Sequence, residues 1–576
     1  MMIYSHSPKR IEDEEFAGRW RLLLLAIVTG MIVLTGRALY LQVLDRQFLK
    51  HQGDVRHIGI MPIPAHRGRV LDRNGELLAI STPVKSIWAN PKEFLPNGEQ
   101  LHMLGGLLGM SVSAIRNHIA AEEGKTFTFL RRRASPEIAD RVMALAIPGV
   151  YADREYQRYY PSGEVAAHVI GFTDVDDKGQ EGIELAYDSV LTGVVGGRQI
   201  IRDGRRRIIE DLKNIRDPVP GRDLALAIDQ RLQYLAYREL KRAVMKHRAR
   251  SASLVLLDAR SGDVLAMVNQ PSFNPNSRKA LHGSVFRNRS ITDLFEPGST
   301  MKPFAVACGL ELGLFRPESI INTNPGSLRV GRNVVKDIHN YGVLDVTRIL
   351  QKSSNVGVTK IALSIPSPKF FAFYNNLGFG QPLETGFPGE ATGRLPHHRG
   401  WNHFEQATLS FGYGLSTSTL QLGRAYLAFA NDGKIPAVSL LKRAEPPRVY
   451  PVMSAKTAIS VRTMLEEVVT REGTALRANI PGFRVAGKTG TVKKNNGRGY
   501  ASSLHMAVFA GMAPASNPRM VMVVMIDEPS AGEYYGGVVA APVFSSVMEG
   551  ALRLLNIPPD QPESAPILTA RGDDAL

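Results

Sequence analysis

The sequence predicts an α+β protein made of an N-terminal transmembrane helix, an elongated mixed α/β pedestal, and a larger domain whose antiparallel sheet is flanked by helices. Three observations predict it. Residues 20–44, WRLLLLAIVTGMIVLTGRALYLQVL, are mainly apolar, and about 20 such residues in a helix cross a bilayer. Two hairpin patterns lie far apart in the chain. SLVLLDARSGDVLAMV (253–268) joins two apolar runs through Arg260-Ser261-Gly262-Asp263, and near the C-terminus MAVFAGMAP and MVMVVMIDEP flank ASNPR. The long stretch between them reads as helices with long loops. Strands at both ends of a helical middle make an antiparallel sheet packed by helices.

Taken in order, residues 1–19 are predicted to be cytoplasmic. Lys9, Arg10, Arg19 and Arg21 flank the start of the span, and they outweigh the acids Glu12, Asp13, Glu14 and Glu15 in setting topology. The span at 20–44 is too long for a signal-peptide core and lacks a small-x-small cleavage site, so it predicts an uncleaved single-pass anchor. Arg37 interrupts it, as a side chain that snorkels to an interface or faces a partner helix. Residues 45–221 form the predicted pedestal. Within it, Arg73-Asn74-Gly75-Glu76 is a hairpin turn, 90–150 reads as weakly amphipathic helix, and GQEGIELAYDSVLTG reads as one helix ending at Gly193. Arg205, Arg206 and Arg207 are a solvated charge run. NIRDPVPG (214–221), with two prolines and a glycine, predicts a linker. Residues 222–558 form the larger domain, entered through LALAIDQRLQYLAYREL, a strand running into a helix. Residues 559–576 are Pro-rich and polar and predict a disordered tail.

The chain has 576 residues, of which 44% are hydrophobic and 22% charged, so sizeable cores are available. Its net charge of +16 favours anionic partners. With most of the chain outside the cytoplasm, that partner is an envelope polymer or a membrane surface rather than nucleic acid. Cys308 is the single cysteine, which excludes internal disulfides, and in FAVACGLELG it reads as a small buried hydrophobe. His397 and His398 have no carboxylate or thiol at ligand spacing, and no zinc motif or phosphate-cradling loop occurs. No metal and no cofactor is predicted.

Three short motifs occur in order: Ser299-x-x-Lys302 in EPGSTMKPF, Ser353-Ser354-Asn355, and Lys488-Thr489-Gly490-Thr491. Each alone is weak. S-x-x-K recurs at Ser439–Lys442, and S-x-N at Ser272–Asn274. Only the set beginning at Ser299 runs in sequence, with gaps of about 50 and about 130 residues. Residues i and i+3 share a helix face, so the Ser299 hydroxyl and the Lys302 amine can meet. Pro303 lacks an amide proton and fits only a first turn, so the helix is predicted to start near Ser299. Its dipole there favours developing negative charge. A serine nucleophile needs a base, and lysine serves when burial or a cationic neighbour lowers its pKa. Lys488 is such a neighbour. Ser353 and Asn355 supply a proton relay and a carbonyl clamp. Thr489, Gly490 and Thr491 are expected on a strand ending in a loop, where glycine admits a substrate backbone and the hydroxyls hold a carboxylate. Separately these motifs fit a helix turn, a cap and a surface strand. Together they point to serine acyl transfer.

These residues, with RGRVLDRNGELLA, RYYPSGEVAAHVIGFT, GQEGIELAYDSVLTG, PSFNPN and FGYGLSTSTLQL, resemble the class B penicillin-binding proteins over nearly the whole chain, and the three motifs are a known signature of that class. Ser-Ser-Asn at 353–355 and RYYPSGE resemble the division type more than the elongation type. The resemblance implies an inner-membrane peptidoglycan D,D-transpeptidase with a periplasmic catalytic domain, acting on lipid II-derived stem pentapeptides of the septal wall. It implies Ser299 as nucleophile, Lys302 as base, Ser353 with Lys488 protonating the leaving amine, and Asn355 orienting both the acyl chain and Lys302. It implies Thr489, Gly490 and Thr491 as substrate-binding residues, with the N–H groups of Ser299 and Thr491 as the oxyanion hole. β-Lactams become covalent inhibitors, and an FtsW-type glycosyltransferase and other divisome membrane proteins become partners.

Asp13, Glu14, Glu15 and Phe16 only echo the start of a glycosyltransferase motif, with no histidine following, so no second catalytic domain is predicted. No E-x-x-L-N follows Asn355. A β-lactamase is thereby disfavoured, and β-lactam adducts are expected to be long-lived. A sensor or scaffold without turnover is the remaining alternative. A sensor needs a cytoplasmic output domain, and the segment before the span is too short for one.

Overall fold

The computed structural model describes residues 12–49, 58–202, 208–277, 283–495 and 499–561. The Arg205–Arg207 run and most of the predicted tail lie outside the described residues. The chain divides into two units, one made of Met1–Ala65 with Val194–Val219, the other of His66–Gly193 with Pro220–Leu576.

In the first unit, α1 (Glu12–Leu39) runs into a π-helical turn at Tyr40–Leu44. Residues 18–44 are long and apolar enough to cross a membrane. The hydroxyls of Thr29 and Thr35 donate to the carbonyls of Leu25 and Met31 at 2.7 Å, so these polar groups are satisfied within the helix. Arg37 lies over the Tyr40 ring at 5.2 Å. The same unit holds a three-stranded antiparallel sheet in which Gly196–Arg202 is central, between Ile58–Ile63 and Ile208–Arg216. Asn214–Arg216, assigned to the linker 214–221 from sequence, is therefore strand. Asn214 pairs with Arg198, and past Pro218 the two segments still meet in an antiparallel bridge between Val194 and Val219.

In the second unit the strand Leu77–Ala89 is the backbone of an N-terminal sheet. It pairs antiparallel with Val70–Leu71, Thr128–Ala134 and Val150–Tyr159. The Arg73–Glu76 turn falls where the sequence placed it. Residues 90–150 contain the helices Gly98–Leu108, Val112–Ala121 and Pro136–Ala144, started by Asn97, Ser111 and Ser135 as caps. The sequence reading missed the strand Thr128–Ala134, which lies between them and is held by the long central strand. GQEGIELAYDSVLTG is not one helix but a short strand followed by Gly182–Ala186 and Asp188–Leu191. The cause is Glu184. Fully buried, it takes Arg67 Nε at 2.8 Å and Arg158 Nε at 2.7 Å, and the backbone bends to bring all three together.

The larger sheet has five antiparallel strands: β1 (Ser251–Asp258), β2 (Val264–Gln270), β3 (Ala486–Asn495), β4 (Tyr500–Ala513) and β5 (Met520–Asp527), in the spatial order β2-β1-β5-β4-β3. The two sequence-predicted hairpins are thus one sheet, joined by the β1–β5 ladder from Ser251↔Asp527 to Asp258↔Met520. Helix α2 (Gln230–His247) precedes the sheet. Between the hairpins run α3 (Lys302–Glu311), α4 (Val346–Lys352), α5 (Asn355–Leu363) and α6 (Thr419–Ala430), and α7 (Ala541–Leu554) follows them. α6 packs Gly423 against Val255, Leu257 and Val523, so β1 and β5 are covered and nearly all buried. The stretch 536–554 also passes as a membrane span by length and hydropathy, but half of it is buried in this core.

Candidate active site

Ser299 sits on a 3-10 turn, Gly298–Met301, that feeds into α3. The α-helix begins at Lys302, slightly later than the sequence implied, with Pro303 in its first turn. Thr300 stiffens the turn by donating to the Pro297 carbonyl at 2.7 Å, and Tyr426 pins it from below through the Thr300 carbonyl at 2.8 Å. Gly298 has φ +58, and a Cβ there would lie 2.4 Å from Val492 Cγ2, so only glycine lets the turn press against β3. Ser299 is half-buried.

Lys302 is 0% exposed. Its Nζ donates to the Ser353 carbonyl at 2.5 Å and to Ser353 Oγ at 3.0 Å. Ser353 caps α4 in a left-handed conformation, φ 59, a strained state for serine that costs about 1–3 kcal/mol and turns both its oxygens toward the amine. Ser354 then caps α5, accepting from Gly357 N at 2.8 Å. The Asn355 side chain donates to the Lys336 carbonyl at 2.9 Å. The residue holding Lys302 in place is therefore Ser353, and the orienting role expected of Asn355 toward Lys302 has no hydrogen bond to support it among the described residues.

β3 is an edge strand, with β4 on one side. Pleat alternation sends Lys488 and Gly490 to the Ser299 side and Thr489 and Thr491 to the other. A Cβ at Gly490 would lie 3.0 Å from the Pro297 carbonyl and 3.1 Å from Thr300 Cγ2, so the strand backbone lies directly on the serine turn. Lys488 is 0% exposed, and its Nζ reaches the carbonyl and hydroxyl oxygens of Thr489 at 3.4 Å. Thr489 Oγ1 meets Thr474 Oγ1 at 2.9 Å, and Thr491 Oγ1 accepts from Gly536 N at 3.0 Å. All eight sequence-predicted site residues thus lie in one region around the start of α3.

Burial lowers both lysines. Lys302 falls well below the ordinary amine range because it is desolvated and faces the Lys488 charge, with Asp337 pulling the other way. Desolvation brings Lys488 down to about 7. Burial and the neighbouring charge thus drive Lys302 toward the neutral form a base needs, while Lys488 still carries part of its charge near pH 7.

Sequence reasoning missed Asp337, which lies in KDIHNYG with no motif to mark it. Its Oδ1 accepts from Asn355 N at 2.5 Å and Val356 N at 3.0 Å, and its Oδ2 accepts from Ser354 Oγ at 2.6 Å. One carboxylate thus fixes the whole 353–356 turn at the positive end of α5. Asp337→Ala strands these donors, and each unsatisfied group costs about 1–3 kcal/mol. Penicillin acylation is expected to slow roughly tenfold or more. A stopped-flow acylation rate equal to wild type removes Asp337 from the site. Glu296, just ahead of the serine turn, was also missed. It accepts from Gly414 N at 2.8 Å and Tyr500 Oη at 3.1 Å, and burial pushes its carboxyl up.

The decoys resolve plainly. Ser439 Oγ bonds the Leu441 carbonyl while Lys442 Nζ reaches the Arg73 carbonyl, and Ser272 donates to the Glu164 carbonyl. Cys308 is 2% exposed and its thiol is pushed up to about 12, as befits a core residue. His397 and His398 pack ring to ring at 4.3 Å and against Phe371. Among the described residues no cluster of metal-ligating side chains occurs.

A serine at a helix start, a buried lysine one turn on, a second buried lysine and an edge strand define a serine acyl-transfer site. Residues 252–549 match the penicillin binding protein transpeptidase domain and residues 62–226 the penicillin-binding protein dimerisation domain. The chain is 42% identical over 553 residues to the probable peptidoglycan D,D-transpeptidase PbpC of Pseudomonas aeruginosa, covering 96% of this chain and 98% of that one. To the peptidoglycan D,D-transpeptidase FtsI of Escherichia coli (strain K12) it is 42% identical over 567 residues, covering 96% and 95%. The solved transpeptidase domain of Burkholderia pseudomallei penicillin-binding protein 3 aligns with TM-score 0.55 and 44% identity, covering 58% of this chain and 98% of that one. The chain belongs to the class B penicillin-binding proteins, the group that includes FtsI, and its N-terminal apolar helix is a single membrane anchor.

Proposed function

We propose that the chain is a division-type peptidoglycan D,D-transpeptidase. Its N-terminus is cytoplasmic, residues 45–221 form a periplasmic pedestal, and residues 222–558 form the catalytic domain that cross-links septal wall. Ser299 Oγ attacks the carbonyl of the penultimate D-Ala of a lipid II-derived stem pentapeptide, and Lys302 takes its proton. The tetrahedral oxyanion is met by the backbone N–H groups of Ser299 and Thr491, and such a donor is worth about 10²–10³ in rate. Ser353, bonded to Lys302, acts with Lys488 to return a proton to the leaving D-Ala nitrogen. The acyl-enzyme then yields to an amine of a neighbouring stem peptide, which forms the new amide and frees Ser299. β-Lactams enter the same path and stay bound. Glycan polymerisation falls to an FtsW-type membrane partner.

The observation carrying this reading is the Lys302–Ser353 hydrogen-bond pair, formed where the Gly490 strand lies on the Ser299 turn. The test supplies purified chain with a stem-peptide donor ending in D-Ala-D-Ala and an amine acceptor. D-Ala release together with cross-linked product is expected. Penicillin capture without any D-Ala release would favour a sensor or scaffold instead.

A further inference from the structure

Past the catalytic residues of β3, the sheet ends in an open cavity of about 680 Å³ lined by Arg248, Arg250, Lys493, His505, Glu528 and Tyr534, among others. Its charge is unbalanced. Glu528 is already engaged, by Lys494 Nζ at 2.6 Å and Arg250 at 2.9 Å. Arg248 and Lys493 have no carboxylate partner among the described residues. Burial and the Lys493 charge hold His505 below its ordinary pKa, so it presents a neutral ring.

The walls are fixed. Ser530 Oγ donates to the Arg248 carbonyl at 2.8 Å, and the N–H groups of Ser530 and Ala531 reach the His247 carbonyl at 2.9 and 3.2 Å. Glu528, in a left-handed conformation at φ 50, donates its N–H to the His505 carbonyl at 2.9 Å. The Tyr534 ring stacks on His505 at 4.1 Å and on Tyr535 at 4.5 Å. Tyr535 precedes Gly536, whose N–H holds Thr491 Oγ1. A Cβ on Gly536 would lie 2.4 Å from the Gly490 carbonyl, so this wall is fastened closely to the catalytic strand.

Lys493 pairs with His505 and shares a strand face with Thr491. Two residues of strand span roughly 7 Å, and an extended peptide covers that distance in the same number of residues. We propose that Arg248 and Lys493, beside the His505–Tyr534 stack, form a subsite for a carboxylate of the peptidoglycan stem peptide, about two residues along from the bond Ser299 attacks. This rests on the transpeptidase reading above. The carboxylate belongs either to the donor strand or to the incoming acceptor strand.

The test uses the full-length chain with synthetic stem-peptide thioester donors and amine acceptors, each made with an acidic residue at that distance and with its uncharged amide isostere. Wild type is expected to prefer the acid about tenfold, the sum of two exposed ion-pair contributions, and the preference should shrink with added salt. Lys493→Ala with Arg248→Ala should lower acid rates to the amide level and leave amide rates unchanged. A preference seen in acylation assigns the donor strand. A preference seen in the ratio of transfer to hydrolysis assigns the acceptor strand. Equal acid and amide rates for wild type in both arms, or a preference surviving in the double variant, overturns the subsite. Fluorescent penicillin labelling separates the readings, since variants that label normally are folded with a working Ser299. Failure of wild type to label would instead remove the transpeptidase reading.

Discussion

Ser299→Ala brings covalent penicillin capture down to background. The hydroxyl sits on the turn that β3 lies against, and neither lysine replaces it, because Lys302 Nζ is tied to Ser353 and Lys488 Nζ lies against Thr489. The change removes a half-buried oxygen from a turn that is held by Thr300 and Tyr426. Stability is therefore expected to shift by less than about 0.5 kcal/mol. In-gel fluorescence and intact-mass measurement check the first expectation, and a melting curve checks the second. A variant that still gains the mass of one penicillin would move the nucleophile elsewhere.

Lys302→Met separates catalysis from stability. The variant keeps a long unbranched side chain and loses the amine. General-base catalysis is worth about 10²–10⁴-fold, so the acylation rate should fall by that factor. Stability should move the other way. Lys302 has a folded-state pKa well below its unfolded value, so the folded chain binds fewer protons there than the unfolded chain at neutral pH, and stability rises with pH through that window. The buried amine is thus a stability cost near pH 7, and methionine relieves it. A melting temperature above that of wild type is expected. The wild-type acylation profile should rise as Lys302 loses its proton and decline above pH 7, where Lys488 loses the charge that burial holds at about 7. A profile flat across pH 5–9, or a variant that acylates at the wild-type rate, would be incompatible with this assignment.

Much of the site was legible in the chain because its parts are local. Ser299 and Lys302 lie one turn apart, Pro303 dates the helix start, and Gly490 marks close backbone approach. The hairpins were legible as period-two apolar runs broken by turns. Asp337 was not, because a lone carboxylate in a polar loop has no signature until α5 presents its N-terminus to it. The strand Thr128–Ala134 was not legible either, because Leu77–Ala89 decides its conformation from a distance. Nor did GQEGIELAYDSVLTG read correctly, since its helical composition yields to the buried Arg67–Glu184–Arg158 cluster.

By itself, then, the sequence determined the membrane anchor, the sheet-and-helix domain and the order of the three motifs, since hydrophobic period, turn residues and short spacings act within a few turns of chain. Only the tertiary structure decided that Ser353 rather than Asn355 grips Lys302, that Asp337 clamps the 353–356 turn, and that two lysines far apart in the chain share a dry pocket. Those outcomes depend on desolvation and on hydrogen bonds between residues 17 to 51 positions apart, which no local pattern encodes.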